Sequence, residues 1–239
     1  MKYILDVQNL SKNFLLHILN DKKIEALDKL SFRLMKGEII GLMGKSGSGK
    51  STLMKCIYRT YLPTSGAMVY HSEKYGKIDL VQASDFQIIA LRKSEITYCS
   101  QFLSVIPRVS AVDVVSETLV AKGASWEYAR GVSKEFLSQL GLAEELWDAY
   151  PSTFSGGEQQ RINVARAIIS KPGFLLIDEP TASLDQKTKD VVIDKILDLK
   201  NSGTSILCIS HDEYAIKKMA DRVIELKNGQ IVAEPITAE

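Results

Sequence analysis

Gly44-Lys45-Ser46-Gly47-Ser48-Gly49-Lys50-Ser51 sets glycines, a lysine and a hydroxyl at the spacing GxxxxGK[ST], a set of residue types suited to cradling a chain of phosphates. Glycines let successive backbone N–H groups converge on phosphate oxygens, and the N-terminus of a following helix adds partial positive charge. Lys50 would then meet the β- and γ-phosphates as a point charge, and the Ser51 hydroxyl would ligate Mg²⁺. Thr52 continues the phosphate contacts at the start of that helix.

A second constellation supplies acids and an imidazole. Phe174-Leu175-Leu176-Ile177-Asp178-Glu179 is an apolar run ending in two carboxylates, the pattern of a buried strand delivering acids to its carboxyl end. Asp178 is expected to hold Mg²⁺ through water. Glu179 is placed to act as general base on the attacking water. Ser205-Ile206-Leu207-Cys208-Ile209 ends in Ser210-His211, so another strand brings His211 to the same edge, where it would sense the γ-phosphate and order the water. Gln101 follows the strand-like Ile96 to Ser100 and could contact Mg²⁺ or the water. His17 and His71 lack such surroundings and read as structural.

These groups need strands to deliver them. Alternation in Tyr3 to Val7 and in Leu30 to Leu34 predicts sheet with one wet face, and Glu38 to Met43 predicts a buried strand feeding the phosphate loop. A helix is expected from Lys50 to about Arg59, ended by Pro63 to Gly66, with strand-like segments from there to Ser100. Ala111 to Lys122 and Trp126 to Leu140 have helical spacing, and Trp126 and Trp147 read as core residues of that part. Beyond Pro151, helix (Glu158 to Ser170), strand, helix (Lys187 to Lys200) and strand alternate, which implies a parallel sheet with crossover helices. Asn228-Gly229 between two alternating runs predicts a terminal hairpin.

The chain has 239 residues, 45% hydrophobic and 25% charged, with 30 basic and 29 acidic side chains. That balance favours no nucleic acid or anionic membrane, so anion binding must be local. Cys56, Cys99 and Cys208 are odd in number and form no CxxC pair, so they read as buried, reduced thiols. No run approaches the ~20 apolar residues that span a bilayer, and residues 1 to 10 lack a signal-peptide core. The expectation is a cytoplasmic single domain over 1–239, without direct membrane insertion.

Phe154-Ser155-Gly156-Gly157-Glu158-Gln159-Gln160-Arg161 begins a second helix with a serine and two glycines, and Asp178 lies 23 residues after Ser155. Read physically, its N–H groups form another anion site that has no phosphate of its own. The motif resembles the signature of the ATP-binding cassette (ABC) ATPases, with Glu158 where Gln is commonest. The resemblance spans nearly the whole chain. It implies an α/β fold of P-loop NTPase type, a mixed sheet core with an antiparallel β subdomain and an inserted α-helical subdomain at about 102–156. It implies ATP and Mg²⁺ as ligands and a symmetric ATP sandwich, each nucleotide held by one subunit's phosphate loop and the other's Ser155, Gly156, Gly157 and Glu158. It further implies that Phe14 stacks on adenine, that Gln101 is the Q-loop glutamine, that Ser183, Leu184 and Asp185 form the D-loop, and that His211 is the switch histidine.

Within that family, Ile57 to Pro63, Ser100 to Ala111 and Pro151 to Arg161 resemble the ATP-binding subunits of carbon-phosphorus lyase systems for phosphonate use. The first 30 residues and Glu73 to Leu91 look ordinary for any close relative, such as the ATPases of lipoprotein-release or cell-division transporters, so a lyase system is the first reading and a membrane transporter the alternative. Partners are therefore a second cassette, self or related, together with either lyase subunits or transmembrane permease subunits. A slowly hydrolysing ATP-gated scaffold is a third reading, opposed by the intact Glu179 and His211. Phe102, Leu103, Val105, Ile106 and Pro107, beside Arg108, form either a docking patch or part of the helical core.

Overall fold

The computed structural model describes residues 3–16, 22–104 and 107–233. Strands β1 (Tyr3–Leu16) and β2 (Lys22–Met35) pair antiparallel, as β1 does with β4 (Ser65–Ser72) and β4 with β5 (Gly76–Asp79), in the order β2-β1-β4-β5. Leu30 to Leu34 alternate between buried and exposed, as their pattern predicts. Tyr3 to Val7 do not, because Asp6 is buried opposite Arg33 in register, with Arg33 Nε 3.2 Å from its carboxylate and the Gln8 amide donating to the other oxygen at 2.9 Å. A cross-strand pair has absorbed what sequence alternation reads as a wet position.

The second sheet runs β10-β9-β3-β8-β7-β6. Its strands are β3 (Ile39–Met43), β6 (Ile96–Cys99), β7 (Phe174–Asp178), β8 (Ser205–Ile209), β9 (Arg222–Lys227) and β10 (Gln230–Ala233). All neighbours are parallel except the terminal hairpin β9–β10, which turns at Asn228-Gly229 with both φ values positive. The two-residue period sorts the central strands between two cores. Ile40, Leu42, Leu176 and Leu207 face the antiparallel sheet, whereas Ile39, Leu175, Ile177, Ile206 and Cys208 face the helices. Burial on both faces is why β7 and β8 read as unbroken apolar runs.

Seven α-helices connect these strands: α1 (Lys50–Ile57), α2 (Asp85–Ser94), α3 (Ala111–Val120), α4 (Trp126–Gln139), α5 (Gly156–Ile168), α6 (Gln186–Asn201) and α7 (Glu213–Met219). Helix α2 lies where strand-like segments were expected; Ser84 and Gln87 close a capping box at its start, and Ile88 and Leu91 bury one side. That S-x-x-Q spacing is a legible helix start, overridden in the sequence reading by the surrounding strand pattern. Trp126 is also corrected. It stands at the first position of α4, half exposed, while Trp147 is partly buried and donates its ring N–H to the Leu142 carbonyl. All three cysteines are buried and unpaired, and no helix among the described residues is long and apolar enough to cross a membrane.

Candidate active site

Six of the seven helices described start with a side-chain cap, from Ser84, Ser110, Ser125, Ser155, Asp185 or Asp212. The exception is α1, whose N-cap is Gly49 at φ 107° with no side-chain hydrogen bond. Its first N–H groups are left to a ligand, and they open on the phosphate loop. The loop is buttressed from far away in sequence. A Cβ on Gly44 would meet the Leu226 carbonyl oxygen at 2.2 Å, and one on Gly49 the Ala26 oxygen at 2.6 Å. Gly229 in the β9–β10 turn donates to the Ser48 carbonyl at 3.1 Å. Sequence reasoning found the hairpin but missed that it braces the loop.

A cleft of about 350 Å³ gathers Ser46 to Thr52, Gln101, Asp178, Glu179 and His211, walled by Ile24, Glu25 and Ala26 of β2. Gly44 and Lys45 line a neighbouring cleft beside His211 and Glu225. Lys50 is buried, its ammonium donating to the Gly44 and Lys45 carbonyls at 2.6 and 3.1 Å. Burial lowers its pKa, and the carboxylates of Glu179 and Asp178 oppose that shift. Ser51 Oγ donates to Asp178 Oδ2 at 3.2 Å. A hydroxyl and a carboxylate thus converge, with the Gln101 amide at the same cleft, a hard-oxygen set suited to Mg²⁺ that keeps waters and phosphate oxygens as its other ligands.

Leu176 and Asp178 share a face of β7 through the strand period, which puts Asp178 toward Ser51. Glu179 then takes φ 52°, a left-handed conformation that disfavours any side chain by about 1–3 kcal/mol. That break keeps both carboxylates in one cleft. Burial raises the pKa of each. Glu179 Oε1 is buried without a hydrogen-bond partner, 3.7 Å from Nε2 of the exposed His211 ring. An orphaned carboxylate oxygen facing an imidazole is poised to accept a proton from water.

Ser155, Gly156, Gly157 and Glu158 lie outside this cleft. Ser155 caps α5, and the Glu158 carboxylate takes the Ser155 N–H and hydroxyl at 2.8 and 2.7 Å, which holds its pKa below the usual range. The Ser155 N–H, expected from the sequence to be open to an anion, is occupied by the chain's own acid. This segment instead meets Ser183: a Cβ on Gly157 would lie 3.0 Å from the Ser183 oxygen. Leu184 packs into the helical core and Asp185 caps α6. Helix α5 also adds contacts the sequence did not assign: Gln160 donates to the Glu179 carbonyl at 2.9 Å and Asn163 to the Ser100 carbonyl at 2.6 Å.

Phe14 does not line the phosphate cleft. Its ring meets Tyr61 edge-on at 5.3 Å under the Lys12 ammonium, although its register partner Ile24 is a wall residue. Of the expected docking patch, Phe102 is three-quarters exposed and Leu103 packs against the helical core, while Val105 and Ile106 lie outside the described residues, as does His17. His71 stacks edge-on against Tyr3.

The ABC transporter family profile matches residues 27–182. A lipoprotein-releasing system ATP-binding protein LolD from Buchnera aphidicola is 34% identical over 95% of this chain and 96% of its own length. The methionine import ATP-binding protein MetN of Haemophilus influenzae is 31% identical over 99% of this chain and 66% of itself. Among solved structures, the ATP-binding cassette MJ0796 in a dimeric post-hydrolysis state bound to ADP and Pi superposes with a TM-score of 0.88 at 28% identity, covering 98% of this chain and 99% of that one. The chain belongs to the ABC transporter family, and it is an ATP-binding cassette subunit with ATPase chemistry.

Proposed function

We propose that the chain is the ATP-hydrolysing motor of a membrane transporter, acting as one half of an ATP sandwich formed with a second copy or a related cassette. The observation that carries this is a separation. Ser155, Gly156, Gly157 and Glu158 do not line the phosphate cleft of their own chain, so a nucleotide held there reaches them only across a dimer. The dimeric MJ0796 cassette and the transporter names of the relatives support the reading.

In this mechanism the loop amides and Lys50 hold the phosphates, and Phe14 is assigned to the adenine side. Ser51 and Asp178, with Gln101 at the same cleft, would hold Mg²⁺, which when bound would neutralise phosphate charge. Water, ordered by His211, attacks the γ-phosphorus as Glu179 takes its proton, and the bond to the β-bridging oxygen breaks to leave ADP and phosphate. Loss of the γ-phosphate contacts opens the dimer. The cassette sits at the cytoplasmic face, peripheral to the membrane.

A second reading places the subunit in a phosphonate carbon-phosphorus lyase system, on the likeness of Ile57 to Pro63, Ser100 to Ala111 and Pro151 to Arg161 to PhnL. Affinity capture from native cells with the Glu179→Gln variant and MgATP, followed by mass spectrometry, separates the two. Permease subunits support the transporter motor; soluble phosphonate-processing subunits overturn it in favour of the lyase reading.

A further inference from the structure

Ser183 to Asp185 and His211 precede two helices, α6 and α7, that are tied together by polar contacts from neighbouring residues near the start of α6. Asp190, the residue after Lys189, accepts from the Tyr214 hydroxyl at 2.6 Å and from Lys218 at 2.8 Å. Lys189 Nζ donates to Asp212 Oδ2 at 2.5 Å, with both side chains about three-quarters shielded. Asp212 divides its oxygens between two tasks. Oδ1 caps α7 by accepting from the Tyr214 and Ala215 amides, while Oδ2 is committed to Lys189. Lys189 stands in the first turn of α6, its backbone N–H donating to the carbonyl of Asp185, the cap of that helix.

Resting on the hydrolysis scheme above, we propose that Lys189 is a positioning residue: its ammonium grips Asp212 and thereby holds the adjoining His211 where the imidazole faces Glu179. Because the grip originates one turn from the D-loop, a shift of Ser183 to Asp185 at a dimer interface would be transmitted to His211 through a single ion pair. Neither Lys189 nor Asp212 lines the phosphate cleft. The pair therefore acts on catalysis through His211 and leaves nucleotide binding to the loop.

The test compares steady-state ATP hydrolysis by the full chain and its variants. Lys189→Met and Asp212→Asn, the latter retaining a capping oxygen, should each lower kcat about tenfold, less than the hundredfold that a 1 Å misplacement can cause. KM should stay within about twofold, because ground-state binding is untouched. Lys189→Arg, which keeps the charge, should recover most of the rate, and the double variant should be no worse than either single one. Lys218→Met, which removes one contact to Asp190 and leaves the Lys189–Asp212 pair intact, should leave kcat unchanged. Amide exchange over residues 210–216 should quicken in Lys189→Met. An undiminished kcat in both primary variants overturns the proposal, as does an equal loss in Lys218→Met or unaltered exchange. If the wild-type chain itself shows no turnover, the hydrolysis scheme fails, while the exchange arm still decides whether Lys189 orders the His211 segment.

Discussion

Replacing Glu179 with Gln removes one ionisable oxygen and preserves shape in a nearly filled site. Glu179 is 8% exposed, and its Oε1 has no hydrogen-bond partner. A positioned general base contributes about 10²–10⁴-fold, or roughly 3–5 kcal/mol of barrier at 1.36 kcal/mol per decade. We therefore expect kcat to fall by that factor with KM for ATP little changed, since Lys50, Ser51 and the loop amides remain. Stability should move the other way. Burial raises the Glu179 pKa, so the stability it contributes is full below the unfolded-state pKa and lost as pH rises through the folded value. At neutral pH the amide is relieved of a buried charge. The variant should melt no lower than wild type, with any advantage shrinking as the pH falls toward the unfolded carboxylate value. Phosphate release, calorimetry across pH and light scattering with saturating MgATP measure the three effects. The scattering should show a trapped dimer. A loss in kcat smaller than tenfold would refute the general-base assignment, and a variant that stays monomeric in MgATP would refute the sandwich.

Lys50→Met removes charge-assisted hydrogen bonds worth about 1.5–3 kcal/mol, so titration calorimetry should show ATP binding weakened roughly ten- to hundredfold; unchanged affinity and turnover contradict its role. Gly44→Ala places a methyl 2.2 Å from the Leu226 oxygen at φ 140°, and the forced shift should lower Tm on the order of 2–10 °C and blunt nucleotide binding; a native melting curve would show that the loop yields freely. The thiols should be silent in the folded chain, because burial pushes Cys56 to about 11 and Cys99 to about 12 and also raises Cys208. Ellman's reagent at pH 8 should label none of them until denaturant is added, and prompt native labelling would overturn the burial argument.

The phosphate loop, the acids closing β7 and the histidine after β8 were legible because each rests on chemistry local in the chain. A glycine-rich turn between an apolar strand and a helix, or an acid after four buried residues, needs only neighbouring residues to be recognised. The same holds for the Asn228-Gly229 hairpin. Helix α2 shows how a local signal is lost when strand patterns surround it, since the Ser84–Gln87 box was present in the residues.

Other features depended on segments that only folding brings together. Asp6 is buried because Arg33 stands opposite it on the next strand, Trp126 is exposed because α4 turns its first residue outward, and Phe14 on β1 meets Tyr61 in the segment between α1 and β4. The bracing of Gly44 and Gly49 by Leu226 and Ala26, and the tie from Lys189 to Asp212, likewise join distant positions. Backbone conformation and strand period are set by adjacent residues, so the sequence alone determined which groups could do the chemistry. Side-chain partners are set by close packing between elements far apart in the chain, so only the tertiary structure decided how those groups are held.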